Sequence, residues 1–194
     1  MLRLIICGLA VAAGSVPSEA FLLFDTDPFG TSYEVTVTDA GGSLFDVSIE
    51  IDTSGYDPAN GDPAFLDFYY LKISPMRPAA VTNLSLPPGW VHAGHRDGFV
   101  LLESAELANP ADPIPDSSDL PVDGSVHNMS YRADLTGTLL LDEWHYQTRY
   151  ILATGNPQQP WRVVQFSRTL VPEPATLLVL GAGVALLARR RRRT

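Results

Sequence analysis

The chain is 194 residues long, 45% apolar and 18% charged, with a formal net charge of −9, which is the size of one domain plus appendages. Seven basic side chains face twenty acids between residues 21 and 171, while five arginines crowd into the last six positions. So acidic a body repels nucleic acid and anionic lipid, which excludes a nucleic-acid partner; and since Cys7 is the only cysteine, everything downstream lacks disulfides and a thiol nucleophile.

Met1-Leu2-Arg3 opens the chain, Leu4 to Ala13 is almost purely apolar, and Gly14 to Ala20 is rich in small residues. A charged start, an apolar run too short to span a bilayer and a small-residue end predict a Sec-type signal peptide over residues 1–20. Ser18 and Ala20 take the −3 and −1 positions for cleavage between Ala20 and Phe21, with Pro17 ending the helix just upstream; cleavage after Ala13 is the alternative. The partners this implies are the Sec translocon and signal peptidase. Only six residues precede Cys7, too few for a lipoprotein signal.

From residue 21 to 170 the dominant pattern is period-two alternation. Tyr33, Val35 and Val37 alternate with Glu34, Thr36 and Thr38, and Phe45, Val47, Ile49 and Ile51 with Asp46, Ser48 and Glu50, so each set predicts a half-buried strand. Asp39-Ala40-Gly41-Gly42-Ser43 joins them into a β-hairpin over 33–51. Residues 65–73 are apolar on both faces and suit a central strand. Further candidates are 81–86, 98–103, 135–141, 146–153 and 161–170, and no apolar stripe of helical period occurs in the body. Short strands parted by Gly, Pro, Asn and Asp predict an all-β body: a single antiparallel β-sandwich, with jelly-roll order as one variant. Two long loops stand out, 52–63 and 104–128. The second holds Pro110, Pro113, Pro115 and Pro121 and reads as a mobile excursion.

Residues that could carry chemistry are few. His92 and His95 stand three apart, but no cysteine or nearby glutamate completes a zinc set, so they read as solvent-facing loop histidines. Asp52, Asp57, Asn60 and Asp62 surround Gly55 and Gly61 in one oxygen-rich loop. Calcium is a weak alternative there, since the spacing fits no EF-hand and turn chemistry explains the same residues; no cofactor is assigned. Among twenty acids some carboxylate pair is always available, and no Gly-x-Ser-x-Gly elbow occurs. The expectation is that the protein is not an enzyme. Trp90, Trp144, Trp161 and Tyr69-Tyr70 could stack on sugars, although core aromatics of a sandwich account for them more cheaply.

The end of the chain is the most specific part. Val171-Pro172-Glu173-Pro174 precedes fourteen uncharged residues, Ala175 to Ala188, and then Arg189, Arg190, Arg191, Arg192, Arg193 and Thr194. As a helix the apolar run is about 21 Å long, a marginal span against a hydrocarbon core of about 30 Å. The arginines orient such a span with the C-terminus in the cytoplasm and the body outside. Prolines on both sides of Glu173 exclude helix and sheet, leaving an extended, exposed segment.

The Pro-Glu-Pro segment, apolar run and arginine cluster, in that order and paired with a signal peptide, resemble the PEP-CTERM sorting signal of Gram-negative, exopolysaccharide-producing bacteria. The resemblance covers about 24 of the 194 residues. It implies recognition by exosortase, a membrane cysteine protease-transpeptidase that cuts near the motif and passes the body to the envelope or beyond. By that resemblance Pro172, Glu173 and Pro174 are the recognition residues, and Arg189 to Arg193 the retention and orientation charges. The expected organisation is a signal peptide over 1–20, a β-sandwich over 21–170, and a sorting signal with a short transmembrane helix over 171–194. The expected role is an exported, non-catalytic envelope or matrix protein, transiently anchored in the inner membrane and associated with exopolysaccharide or biofilm. The alternative is a carbohydrate-binding module of the matrix, with stabilisation by calcium as one variant of it.

Overall fold

The computed structural model describes residues 20–57, 63–72, 78–96, 99–108, 111, 113–136 and 144–172. Twelve strands follow one another along the chain: β1 (Ala20–Thr26), β2 (Ser32–Gly41), β3 (Leu44–Asp52), β4 (Ala64–Lys72), β5 (Ala80–Ser85), β6 (Trp90–Arg96), β7 (Phe99–Ser104), β8 (Leu120–Pro121), β9 (Val126–Asp134), β10 (His145–Ala153), β11 (Trp161–Thr169) and β12 (Val171–Pro172). They form two antiparallel sheets. The first runs β12-β1-β2-β3-β9-β5; the second runs β11-β10-β4-β7-β6, with the short β8 also paired to β4. This is the all-β sandwich that the alternation predicts.

The 33–51 hairpin forms as β2–β3, with Val35 opposite Ile49 and Val37 opposite Val47. Gly41 and Gly42 turn it at φ +96° and +69°, a conformation that glycine adopts without penalty. β4 pairs with β10 on one side and β7 on the other, the central place that its apolar faces suit.

Alternate residues of both sheets meet in one core. Val35, Val37, Val47 and Ile49 on one sheet and Leu66, Leu71, Val100 and Leu102 on the other are each 1% exposed or less. Each such side chain contributes roughly 1.5–3 kcal/mol by leaving water. Tyr33, Tyr69 and Tyr146 fill the middle with ring centroids 4.6–5.7 Å apart. Their neighbour Tyr150 reaches across the sandwich to Asp27, whose carboxylate also accepts from the Tyr33 hydroxyl (3.0 Å) and from the amides of Phe29 (2.8 Å) and Thr31 (3.1 Å). Burial pushes the Asp27 pKa up, and these donors oppose the shift. Asp25, two residues earlier, accepts from Tyr146 at 2.8 Å and pairs with Arg168. Both carboxylates thus fasten the β1 edge of one sheet to β10 and β11 of the other.

Several expectations need correction. β1, β6 and β9 were not among the predicted strands. β6 carries a bulge between His92 and Gly94 that breaks its alternation, and β9 buries only Met129, Tyr131 and Ala133 between polar neighbours. Of the strand expected over 135–141, Leu135 and Thr136 lie just past β9, and 137–141 lie outside the described residues. The 104–128 segment is no loose excursion in its described part: Ala108, Ser118, Asp119, Leu120 and Val122 are buried, and β8 joins the sheet. Among the described residues no helix is long and apolar enough to cross a membrane; the apolar run 175–188 lies outside them.

Candidate functional site

Two places bear on function, the sheet edge where the sorting motif begins and a groove on the outer face of the second sheet. At the edge, Leu170 is 2% exposed and donates its amide to the Trp144 carbonyl at 2.9 Å, with Trp144 itself buried. The chain then turns onto β1, where Val171 lies opposite Phe24 and Pro172 opposite Leu23. Pro172 is therefore in a sheet, contrary to expectation. An edge strand accepts proline because an absent N–H there costs no ladder bond. Ala20 and Phe21, the expected cleavage residues, begin the same β1, opposite Thr38 and Val37 of β2. Glu173, Pro174 and Arg189 to Arg193 lie outside the described residues.

The groove has a volume of about 550 Å³ and is lined by Tyr70, Gly94, His95, Phe99, Leu101 and Gln147. Strand register builds it. Gln147 lies opposite Tyr70, Tyr70 opposite Leu101, and Leu101 opposite Gly94, so one transverse row crosses four strands on the outward face. The next row sets His145 opposite Lys72, Lys72 opposite Phe99, and Phe99 opposite Arg96. Tyr70 packs between Phe68 (centroids 4.5 Å apart) and Phe99 (6.4 Å). At the far end of the first row, no atom of the described residues lies within 4 Å of where a Gly94 Cβ would stand, which leaves the groove open to them there.

The row on the other side of Tyr70 is covered. Arg149 lies opposite Phe68, and Phe68 opposite Glu103; Phe68 and Arg149 are buried, and Asp67 beside them is 0% exposed. Arg149 binds both oxygens of Asp67 through Nε at 2.8 and 2.9 Å, donates to the Ala108 carbonyl at 3.3 Å, and sets its guanidinium 5.1 Å from the Phe68 ring centroid. The guanidinium thereby pins Ala108, early in the 104–128 segment, over this part of the sheet. Burial raises the Glu103 pKa. Further along, the segment is held by Trp90, whose indole N–H donates to the Ser118 carbonyl at 2.9 Å. Gly89 permits this approach: at φ +82°, an added Cβ would come within 2.6 Å of the Ser118 Cβ. Asp119 is 5% exposed and accepts the Asp116 amide at 2.9 Å, but its second oxygen is buried without a partner among the described residues. The Ser104 hydroxyl leans toward that carboxylate without reaching hydrogen-bond geometry. Burial, chiefly, pushes the Asp119 pKa up to about 6.

The other candidate residues are scattered by the fold. His92 and His95 lie on β6 and not in a loop, half-buried, with parallel rings 5.5 Å apart. Burial first, and His95 second, hold the His92 pKa below its ordinary value. Asp52 ends β3 and accepts the Ser54 amide at 2.8 Å, a turn role that lowers its pKa. Asp57 is exposed, and Asn60 and Asp62 lie outside the described residues. Among the described residues no three His, Cys, Asp or Glu side chains are grouped to hold a metal ion. Trp90, Trp144 and Tyr69 are core residues, and Trp161 packs edge-on against Phe65. Of the proposed stacking aromatics only Tyr70 faces the groove. Phe99, Leu101 and Gln147 escaped the sequence reading, because the outward halves of strands become neighbours only once strand order is known.

The family model of the PEP-CTERM protein-sorting motif matches residues 170–193. No curated protein and no solved structure gives a match. The chain thus carries the sorting signal of an exported protein that exosortase processes, and the match begins at Leu170, the residue at which the buried core ends.

Proposed function

We propose that this protein is a non-catalytic component of the envelope or extracellular matrix, working without a cofactor and associated with exopolysaccharide. Sec and signal peptidase deliver it, with cleavage between Ala20 and Phe21. The C-terminal apolar run then holds it in the inner membrane, with Arg189 to Arg193 on the cytoplasmic side, until exosortase cuts near Pro172-Glu173-Pro174. The observation that carries this reading is the placement of the sorting motif, which starts where the sandwich ends. Signal cleavage inside what becomes β1 must act before that strand pairs with β2, since a protease needs an extended, unpaired substrate. Intact mass of the mature protein, from cells with and without exosortase, tests the reading. A chain starting at Phe21 and lacking the tail only when exosortase is present is expected; a chain that keeps Thr194 in both strains would overturn it.

The groove favours a second reading, a carbohydrate-binding module. Tyr70 and Phe99 offer aromatic faces, and Gln147 and His95 offer hydrogen-bonding groups, in a cleft of the size that small ligands use. Calorimetric titration with hexasaccharides cut from the matrix polysaccharide is expected to give binding that Tyr70→Ala weakens at least tenfold, about 1.4 kcal/mol, with an unchanged melting temperature. No heat of binding from any of these sugars would remove this reading.

A further inference from the structure

We propose that β12 is a latch on the sorting signal: exosortase acts on the chain only after Val171 and Pro172 have peeled away from β1. The proposal rests on the reading that the tail is an exosortase substrate and adds how the folded body controls access to it. Leu170 is fixed, being buried and bonded to Trp144, so only two residues separate the packed body from Glu173. Fully extended, two residues reach roughly 7 Å. Both lie in register on β1. A protease that takes its substrate as an extended strand needs the same backbone groups that the ladder occupies, so docking on β1 and docking in the processing enzyme exclude one another.

The latch is built to open. It has two register positions, Leu23 with Pro172 and Phe24 with Val171, and Pro172 has no N–H to give the ladder. It sits at the outer edge of its sheet, where no further strand covers it among the described residues. Phe24 and Val171 are 36% and 54% exposed, so little apolar surface holds them together. Because the pairing is antiparallel, β12 runs along β1 from Phe24 to Leu23, toward the Phe21 end at which the mature protein is expected to begin. The two ends that processing creates therefore meet on one edge, and the β1 segment must be in place for the latch to close.

A reversible lock tests this. Phe24→Cys combined with Val171→Cys puts two thiols at directly opposed antiparallel positions, close enough for a disulfide. The only native cysteine, Cys7, lies within the expected signal peptide. In exosortase-containing membranes, tail removal from the oxidised double variant is expected to be at least tenfold slower than from the same protein after reduction. Each single-cysteine variant should be processed at the wild-type rate. Equal rates for the oxidised and reduced double variant would overturn the latch. So would failure of the pair to oxidise, since it would mean that the two residues do not face each other. A wild-type chain that keeps its tail beside active exosortase would instead sink the sorting reading, and that control needs no variant.

Discussion

Arg149→Met is expected to cost about 3–5 kcal/mol of stability, as breaking a buried ion pair on one side does. Its partner Asp67 is 0% exposed, and a buried carboxylate stripped of its counter-charge has no water to turn to. The guanidinium does more than neutralise. It donates to the Ala108 carbonyl and covers the Phe68 ring, so its loss also frees Ala108. A double variant separates these effects. Asp67→Leu with Arg149→Met removes both charges, and it is expected to recover most of the loss, because an apolar pair of similar volume is often as stable as a buried ion pair. Urea unfolding of the mature protein gives both values. A cost below about 1 kcal/mol for Arg149→Met alone would show that the pair does not brace the sheet.

That pair also marks where the sequence stops being readable. Asp67 sits in the run 65–73, whose apolar faces predicted a central strand, and nothing in that pattern singles out the acid. The bulge between Arg149 and Tyr150 shifts the β10 register so that Arg149 meets Asp67 from 82 positions away. Neither the bulge nor the packing of the 104–128 segment in its described part has a local signature. Its prolines and aspartates suggested a solvated excursion, whereas the structure spends Asp116 and Asp119 on holding the turn that carries Ser118 under Trp90.

The plainest strands in the sequence are β2 and β3, whose alternation repeats at least three times without interruption. The run 65–73 was legible as β4 through apolar residues on both faces, and 81–86, 98–103, 146–153 and 161–170 fall on β5, β7, β10 and β11. β6 failed the test of alternation through its bulge, whereas β9 passes it, with Met129, Tyr131 and Ala133 set between Ser130, Arg132 and Asp134, and was missed all the same. The sorting signal was legible for a different reason. Its parts are contiguous in the chain, so no folding is needed to bring Pro172, Glu173, Pro174 and the arginines together. The groove is the opposite case. Tyr70, Leu101 and Gln147 are 31 to 77 positions apart and become one surface only through the ladders β10–β4 and β4–β7.

Asp119→Asn is expected to stabilise the protein at neutral pH by about 1–2 kcal/mol and to destabilise it by about 1–2 kcal/mol below about pH 4, where only the cost of the unpartnered amide remains. The carboxyl has a folded-state pKa of about 6 against an ordinary 3.8, so ionising it in place costs roughly 3 kcal/mol. Burial is the main cause, and the charges of Asp116 and Asp67 act in the same direction. Below about pH 4 the group is protonated in both the folded and the unfolded chain and contributes nothing. As pH rises from about 4 to 6, the unfolded chain releases this proton first, so stability falls; above 6 the penalty is constant. Asparagine keeps an acceptor for the Asp116 amide and cannot ionise, but its amide N–H groups need partners in the same dry site, which returns part of the gain. The check is the difference between variant and wild type in urea midpoint at pH 4, 5, 6 and 7.5. A difference that does not change across that series would mean the carboxyl is not ionised against burial at all. A rise confined to the 4-to-6 window would make the 116–119 turn, which sets Ser118 against Trp90, tighter in acid than at neutral pH.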